Sequence, residues 1–209
     1  MNIVLFGASG TIGSRLLTEL ISRGHQLTAV VRDPSKIEPH ENTVASAGDV
    51  FDPESVKEAA SGADLVISAY GHGPANPELL VKATRSLIAG VEASGVKRLI
   101  MVGGAGSLEV APGVRLVDTP TFPPEWKAIA LAHADALELL KASSLDWTSA
   151  SPAAYIHPGE RTGKFRLDTD KLIVNDTGGS EISAEDFSIA IADEVESCHY
   201  LRKRFTAAW

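Results

Sequence analysis

The first thirteen residues, Met1-Asn2-Ile3-Val4-Leu5-Phe6-Gly7-Ala8-Ser9-Gly10-Thr11-Ile12-Gly13, constrain the fold more than any other segment. An apolar strand runs into three glycines, and an amphipathic helix follows from residue 11 to about 23. Glycines at 7, 10 and 13 let the chain turn tightly, let backbone N–H groups approach a pyrophosphate and let helix pack on strand, with the helix N-terminus facing the anion. A glycine triplet alone is a weak signal. Here the strand before it, the helix and a second strand over 27–31 supply the βαβ context that a phosphate cradle requires. The expected phosphate contacts are Gly7, Ser9, Gly10, Thr11, Ile12 and Gly13.

After the second strand, short apolar runs alternate with helical patterns at 43–47, 53–60, 64–68, 77–93 and 98–102. Such alternation builds a parallel sheet with helices on both faces. A long helix is expected over 124–142, opened by Pro123-Pro124, and a sixth strand over 146–150. From Pro152 the pattern changes, with short strands expected at 165–167 and 172–174. Ser183 with Asp186 reads as an N-cap and its reciprocal partner opening a helix from 184 to about 196. Residues 205–207 read as a closing edge strand. With 209 residues and 44% apolar content, the chain suits one domain over 1–209. The expected architecture is a Rossmann-like, doubly wound α/β sheet with a small C-terminal substrate lobe at about 152–182.

The formal charge of -8 argues against a nucleic-acid partner, which needs clustered Lys and Arg. The one dense basic cluster, Arg202-Lys203-Arg204, reads as a solvated terminal turn. A single cysteine, Cys198, excludes an intramolecular disulfide and a multi-thiolate metal site, and fits a reducing compartment. No run approaches the ~20 apolar residues of a membrane span, and the N-terminal run is a short strand rather than a signal peptide. A cytoplasmic protein without metal, membrane or nucleic-acid partner is expected.

An acidic residue ending the second strand binds the ribose 2′-OH of NAD, whereas an Arg there accommodates the 2′-phosphate of NADP. In Val30-Val31-Arg32-Asp33-Pro34 the guanidinium comes first, which favours NADP(H), while Asp33 keeps NAD(H) open.

Four segments carry a family likeness: GASGTIG at 7–13, GGAGSL at 103–108, Asp146-Trp147-Thr148, and Ser151-Pro152-Ala153-Ala154 running into Pro158-Gly159-Glu160-Arg161-Thr162-Gly163-Lys164. The chain resembles the atypical, NmrA-like members of the short-chain dehydrogenase/reductase superfamily, in particular bacterial NADH-flavin reductases, and more distantly the biliverdin reductase B/flavin reductase family. The resemblance implies that Asp49 and Val50 lie beside the adenine. It also implies that Ala69, Tyr70 and Gly71 line the ribose and nicotinamide side, and that Gly103 and Gly104 close the cofactor site.

The chain departs from the superfamily where the acid should be. Tyr70, Tyr155 and Tyr200 are its tyrosines, and none is followed four residues later by Lys. Along the long helix the family's Tyr position falls near Ile129 and its Lys position near His133. The family's Ser position after the fifth strand falls near Gly104, and the nearest hydroxyl in sequence is Ser107. Biliverdin reductase B also keeps a Ser and a His where this chain has Gly104 and Ala154, which disfavours biliverdin as substrate. His133 and Ser107 remain the candidates for proton relay or orientation.

Reducing a ketone needs a proton donor at the developing alkoxide. Hydride transfer to a flavin or quinone needs mainly proximity. The expected activity is therefore NAD(P)H-dependent reduction of FMN, another flavin, a quinone or a similar planar acceptor. The rivals are a non-catalytic NADP(H) redox sensor of NmrA type, acting on a protein partner, and a sugar-nucleotide epimerase or dehydratase. His72 is placed on the loop beside the nicotinamide. Arg161 and Lys164 either meet an acidic group on a ligand or pair with Glu160 and Asp168, and Trp126 is either an aromatic wall or, by preference, a buried structural residue.

Overall fold

The computed structural model describes residues 1–71 and 75–209. Its spine is a sheet of eight strands: β1 (Asn2–Phe6), β2 (Gln26–Val31), β3 (Thr43–Ala47), β4 (Leu65–Ser68), β5 (Arg98–Val102), β8 (Asp146–Pro152), β10 (Arg166–Asp168) and β12 (Lys203–Ala208). The spatial order is β10-β12-β8-β5-β4-β1-β2-β3, parallel throughout except for β10 against β12. The order reverses between β1 and β4, and ligands of such sheets bind in the crevice that this reversal opens beyond the strands' C-terminal ends. Two short pairs lie outside the sheet: β6 (Glu109–Ala111) with β7 (Val114–Arg115), and β9 (Tyr155–His157) with β11 (Glu181–Ser183).

Helices α1 (Thr11–Ser22) and α5 (Ala184–Ser197) cover one face, and α2 (Pro53–Ala60), α3 (Glu78–Ser94) and α4 (Pro124–Ala142) cover the other. Alternation along each strand supplies a core on each side. Ile3, Leu5, Ile67 and Ile100 pack with Leu16, Leu20, Phe187 and Ile191, while Val4, Phe6, Leu99 and Met101 pack with Val56, Leu87, Leu137 and Leu140. Local signals set the helix ends. The Asp52 carboxylate accepts the Glu54 N–H ahead of Pro53, and Pro124 opens α4 at the residue where the sequence places it.

Several expectations are corrected. Residues 172–174 form no strand, because the backbone is held there by isolated contacts, such as Leu172 N–H to the Glu109 carbonyl, and not by a ladder. Residues 205–207 lie inside the sheet, within β12 between β8 and β10, and the edge falls to β10. The basic cluster is not simply solvated: Arg204 is buried, with its guanidinium on Asp170 and on the Ser107 hydroxyl. Ser183 caps α5 by accepting the Asp186 N–H at 3.0 Å, but Asp186 does not reciprocate. Its buried carboxylate accepts instead from Thr162 N–H at 2.7 Å, Gly163 N–H at 2.9 Å, the Thr162 hydroxyl and Trp209 Nε1 at 2.8 Å. A residue read as a helix cap thus fastens the Thr162–Gly163 turn and Trp209, just past β12, onto α5.

Candidate functional site

The glycine loop joins β1 to α1 at the crevice. Gly7 has φ of +79°, a left-handed conformation that costs little only without a Cβ, and a Cβ there would lie 2.8 Å from Ala69 backbone atoms and 2.9 Å from Tyr70 N. A Cβ on Gly13 would stand 2.1 Å from the Gly7 carbonyl oxygen. These contacts bring the start of α1 down onto the ends of β1 and β4. Gly10 caps α1 with no side-chain hydrogen bond, so the first-turn N–H groups, beginning at Thr11 and Ile12, are left for an external anion.

A cavity of about 320 Å³ opens from this loop and is lined by Gly7, Ser9, Gly10, Arg32, Asp49, Val50, Phe51, Ala69, Tyr70 and Gly71 among others. Residues named from four sequence segments therefore share one wall system. At the end of β2 the Asp33 carboxylate is occupied by its own turn, accepting Ser35 N–H at 3.2 Å and the Ser35 hydroxyl at 2.7 Å. Those bonds hold its carboxyl below the usual carboxylate range. The Arg32 guanidinium is exposed and makes no ion pair with any described residue. Asp49 accepts the Phe51 N–H at 2.9 Å, which fixes the turn after β3.

Phe51 was missed. It meets Tyr70 edge-on at 5.6 Å between ring centroids and carries Lys82 over its face at 5.4 Å, so an aromatic pair floors the cavity. Its signal was an aromatic directly after Asp49-Val50. Burial pushes the Tyr70 phenol up, against the pull of nearby Arg32.

At the end of β5 the glycines accommodate specific neighbours. A Cβ on Gly104 would fall 2.9 Å from Cγ of His133, so the histidine side chain packs directly against this glycine. Protein surrounds most of that ring, and burial alone drives its pKa down to about 4, leaving His133 neutral at physiological pH. Ser107, at the end of a short turn over Ala105–Ser107, accepts a hydrogen bond from Arg204 Nη1 at 2.8 Å. The neutral imidazole and the engaged hydroxyl are thus separate features of this wall. His72 lies outside the described residues.

The lobe resolves the remaining alternatives. Arg161 pairs with neither Glu160 nor Asp168. It makes a two-pronged contact with the buried Glu19 of α1, at 2.9 and 3.0 Å, while Arg23 holds the same carboxylate from the helix side. Lys164 makes no ion pair among the described residues. Trp126 is 51% exposed, so it is not a buried structural residue. It stands one turn before Ala130 and two before His133 on α4, at the i, i+4, i+7 spacing that puts all three on one helix face.

The sequence pattern of the NAD(P)H-binding family matches residues 7–197, from the glycine loop to the end of α5. The chain belongs to that family. Its fold is likewise that of solved structures over its whole length. It is 50% identical to a candidate exported protein of Burkholderia pseudomallei, with both chains fully covered and a TM-score of 0.92. It is 42% identical to a candidate epimerase of Bacteroides thetaiotaomicron, covering all of this chain and 96% of that one at a TM-score of 0.94. It is 34% identical to a candidate NADH-flavin reductase of Streptococcus pneumoniae, covering 100% and 99% at a TM-score of 0.86. The chain is therefore an atypical short-chain dehydrogenase/reductase with an NAD(P)H-binding, oxidoreductase-like Rossmann fold. No helix among the described residues is long and apolar enough to cross a membrane.

Proposed function

We propose that the protein binds NADP(H) in the crevice above β1, β2 and β4 and passes a hydride to a flavin, quinone or similar planar acceptor. The observation that carries the reaction class is the neutral His133 imidazole lying against Gly104, where a ketone reductase of this superfamily would present its Ser and, from the same helix, its Tyr and Lys. The residues of the crevice fit a dinucleotide: the Gly7–Gly13 cradle has no room for side chains, and the uncapped start of α1 faces the place of the pyrophosphate. Arg32 takes the 2′-phosphate, since Asp33 is spent on its own turn. Asp49, Val50 and Phe51 flank the adenine, and Ala69 to Gly71 support the nicotinamide ribose. The bound nicotinamide supplies the hydride. Gly103 and Gly104 make room for the Ser149 and Ser151 hydroxyls and for neutral His133, which border the ring's place without a charge, and Trp126 offers an exposed aromatic face on the same side of α4.

An epimerase reading, suggested by the name of one solved relative, requires an acid–base pair to take and return a hydroxyl proton. Ile129 and His133 stand where that Tyr and Lys would be. The cytoplasmic reading rests on the lone Cys198 and is set against a solved relative named as exported.

The test is oxidation of NADPH by the purified protein with FMN, riboflavin or a small quinone, against an enzyme-free blank. Turnover above the blank that disappears in Gly13→Ala supports the reductase. Tight binding of both NADP⁺ and NADPH with no turnover of any acceptor overturns it in favour of a redox sensor.

A further inference from the structure

The sheet face beneath α3 and α4 changes character at its C-terminal end. Strand register aligns Ser68 with Met101, Met101 with Ser149, and Ser149 with Arg204, and one step further it aligns Ser151 with Thr206. Aligned residues of a parallel sheet send their side chains to one face, and Met101 packs there with Leu137 and Leu140. Beyond Met101 the apolar surface gives way to hydroxyls. Ser149, Ser151 and Thr206 are 3%, 1% and 0% exposed. The Thr206 hydroxyl is fully buried without a hydrogen-bond partner, and neither serine hydroxyl has a partner among the described residues.

Both serine hydroxyls point at Gly103. A Cβ on that residue would stand 2.8 Å from the Ser149 hydroxyl oxygen and 3.2 Å from that of Ser151. The glycine pair after β5 thus makes room for three polar side chains, these two at Gly103 and the His133 imidazole at Gly104. An unpaired buried hydroxyl is costly, as at Thr206, and beside it stand two serine hydroxyls without a protein partner where alanine would fill the same space, so the cluster is open to a ligand that completes it.

We propose that Ser149 and Ser151, backed by Thr206, form a hydroxyl-lined recess beside Gly103 and Gly104 that takes a carbonyl oxygen of the planar acceptor. The inference rests on the reductase reading given above and names the acceptor edge that reading leaves open. The recess holds no net charge. Arg204, in register with Ser149, is neutralised by Asp170 and tied to Ser107, and His133 is neutral. Uncharged donors suit a quinone or isoalloxazine carbonyl and would leave a carboxylate or phosphate uncompensated. The hydroxyl that the superfamily places after β5 is delivered here from the neighbouring strand β8, across the space that Gly103 leaves free.

The probe is 2,3-dimethyl-1,4-naphthoquinone, whose blocked ring cannot alkylate the exposed Cys198, with 2,3-dimethylnaphthalene as its oxygen-free counterpart. Binding to the NADP⁺ complex is read by tryptophan quenching, alongside NADPH affinity and KM with the quinone. In the doubly substituted Ser149→Ala, Ser151→Ala protein, the quinone dissociation constant and KM should rise about tenfold, with the naphthalene and NADPH constants unchanged. Gly103→Ala, which crowds the recess from the other side, should likewise raise the quinone constant more than the naphthalene constant, and because Gly103 borders the cofactor site its NADPH affinity is not expected to stay unchanged. Unchanged quinone affinity in both variants, or equal losses for quinone and naphthalene, would overturn the recess. Quinone binding that depends on the serines in a wild-type protein that does not oxidise NADPH would sustain the recess and refute the reductase.

Discussion

Arg32→Ala tests the cofactor assignment most directly. The guanidinium ends β2 at the rim of the cavity, it is exposed, and no described carboxylate competes for it. Removing it therefore breaks no internal ion pair and leaves no buried charge behind, so fold stability should be unchanged. Charge-assisted hydrogen bonds to a phosphate are worth about 1.5–3 kcal/mol, and exposure places this one near the lower end, because water and salt screen it. A loss of about 1.5 kcal/mol corresponds to an NADPH dissociation constant raised about tenfold. NADH, which has no 2′-phosphate, should bind both proteins alike. Titrating the cofactors' own fluorescence at about 0.05 and 0.5 M salt adds a second reading, since the wild-type preference for NADPH should shrink as salt rises and the variant should show little preference to lose. Equal weakening of NADPH and NADH would refute the assignment and make Arg32 a support for the adenosine or for the loop itself.

Three further outcomes follow from the geometry. Gly13→Ala drives a Cβ to 2.1 Å from the Gly7 carbonyl oxygen; a loss of about 3 kcal/mol in a denaturant titration is expected, together with loss of dinucleotide binding, and a stable variant that binds would show that the loop can open. Gly104→Ser should destabilise by crowding the His133 ring, and the same change in a His133→Ala background should cost less by about 1 kcal/mol or more; additive effects would mean that the two positions are not in contact. Asp186→Asn turns an amide N–H toward donors that now meet a carboxylate, so about 3 kcal/mol should be lost at pH 7. Burial raises the pKa of this carboxyl, but bonds from Thr162, Trp209 and Gly163 outweigh it and hold it low. Its contribution is thus full above about pH 4 and lost as pH falls through the depressed value, and the Asn variant should lack that acid limb.

The convergence of the glycine loop, Arg32 and Asp49 on one crevice was legible because its determinants are local. Gly7, Gly10 and Gly13 act within seven residues, and Arg32 and Asp49 lie in the turns directly after β2 and β3. The segments that were misread depend on distant partners. Asp186 looks like a capping residue until Thr162, Gly163 and Trp209 arrive at it from elsewhere in the chain. Arg161 has acidic neighbours in sequence yet spans to Glu19, 142 positions away. Arg204 sits in a basic run but is buried by Asp170 and Ser107. Residues 205–207 resemble an edge because nothing in sequence announces that the short antiparallel β10 will cover them.

His133 shows how the same limit bears on the chemistry. In sequence it is a helix histidine with an ordinary pKa near 6.5, equally suited to relay a proton or to sit in water. Its burial against Gly104 decides between those roles by opposing the charged form, with no acidic neighbour acting on it. The sign of the consequence is fixed. Because the folded value lies near 4 and the unfolded one near 6.5, the unfolded chain binds the proton first between these limits. Stability attributable to His133 is therefore full above pH 6.5 and declines as pH falls toward 4. His157, whose hydrogen bonds to the Pro158 carbonyl and to Glu181 raise its pKa, acts in the opposite direction from a half-buried position. Comparing wild type with His133→Gln by chemical denaturation from pH 4.5 to 8 isolates the effect: the Gln variant should lose less stability on acidification. Turnover by the wild type should also show no ionisation near 6.5 from this residue. If His133→Gln leaves the pH slope of stability unchanged, or abolishes a rate limb centred near 6.5, the imidazole is hydrated and titrates normally. It would then be a candidate proton donor again, and the argument for a planar acceptor that needs none would lose its main support.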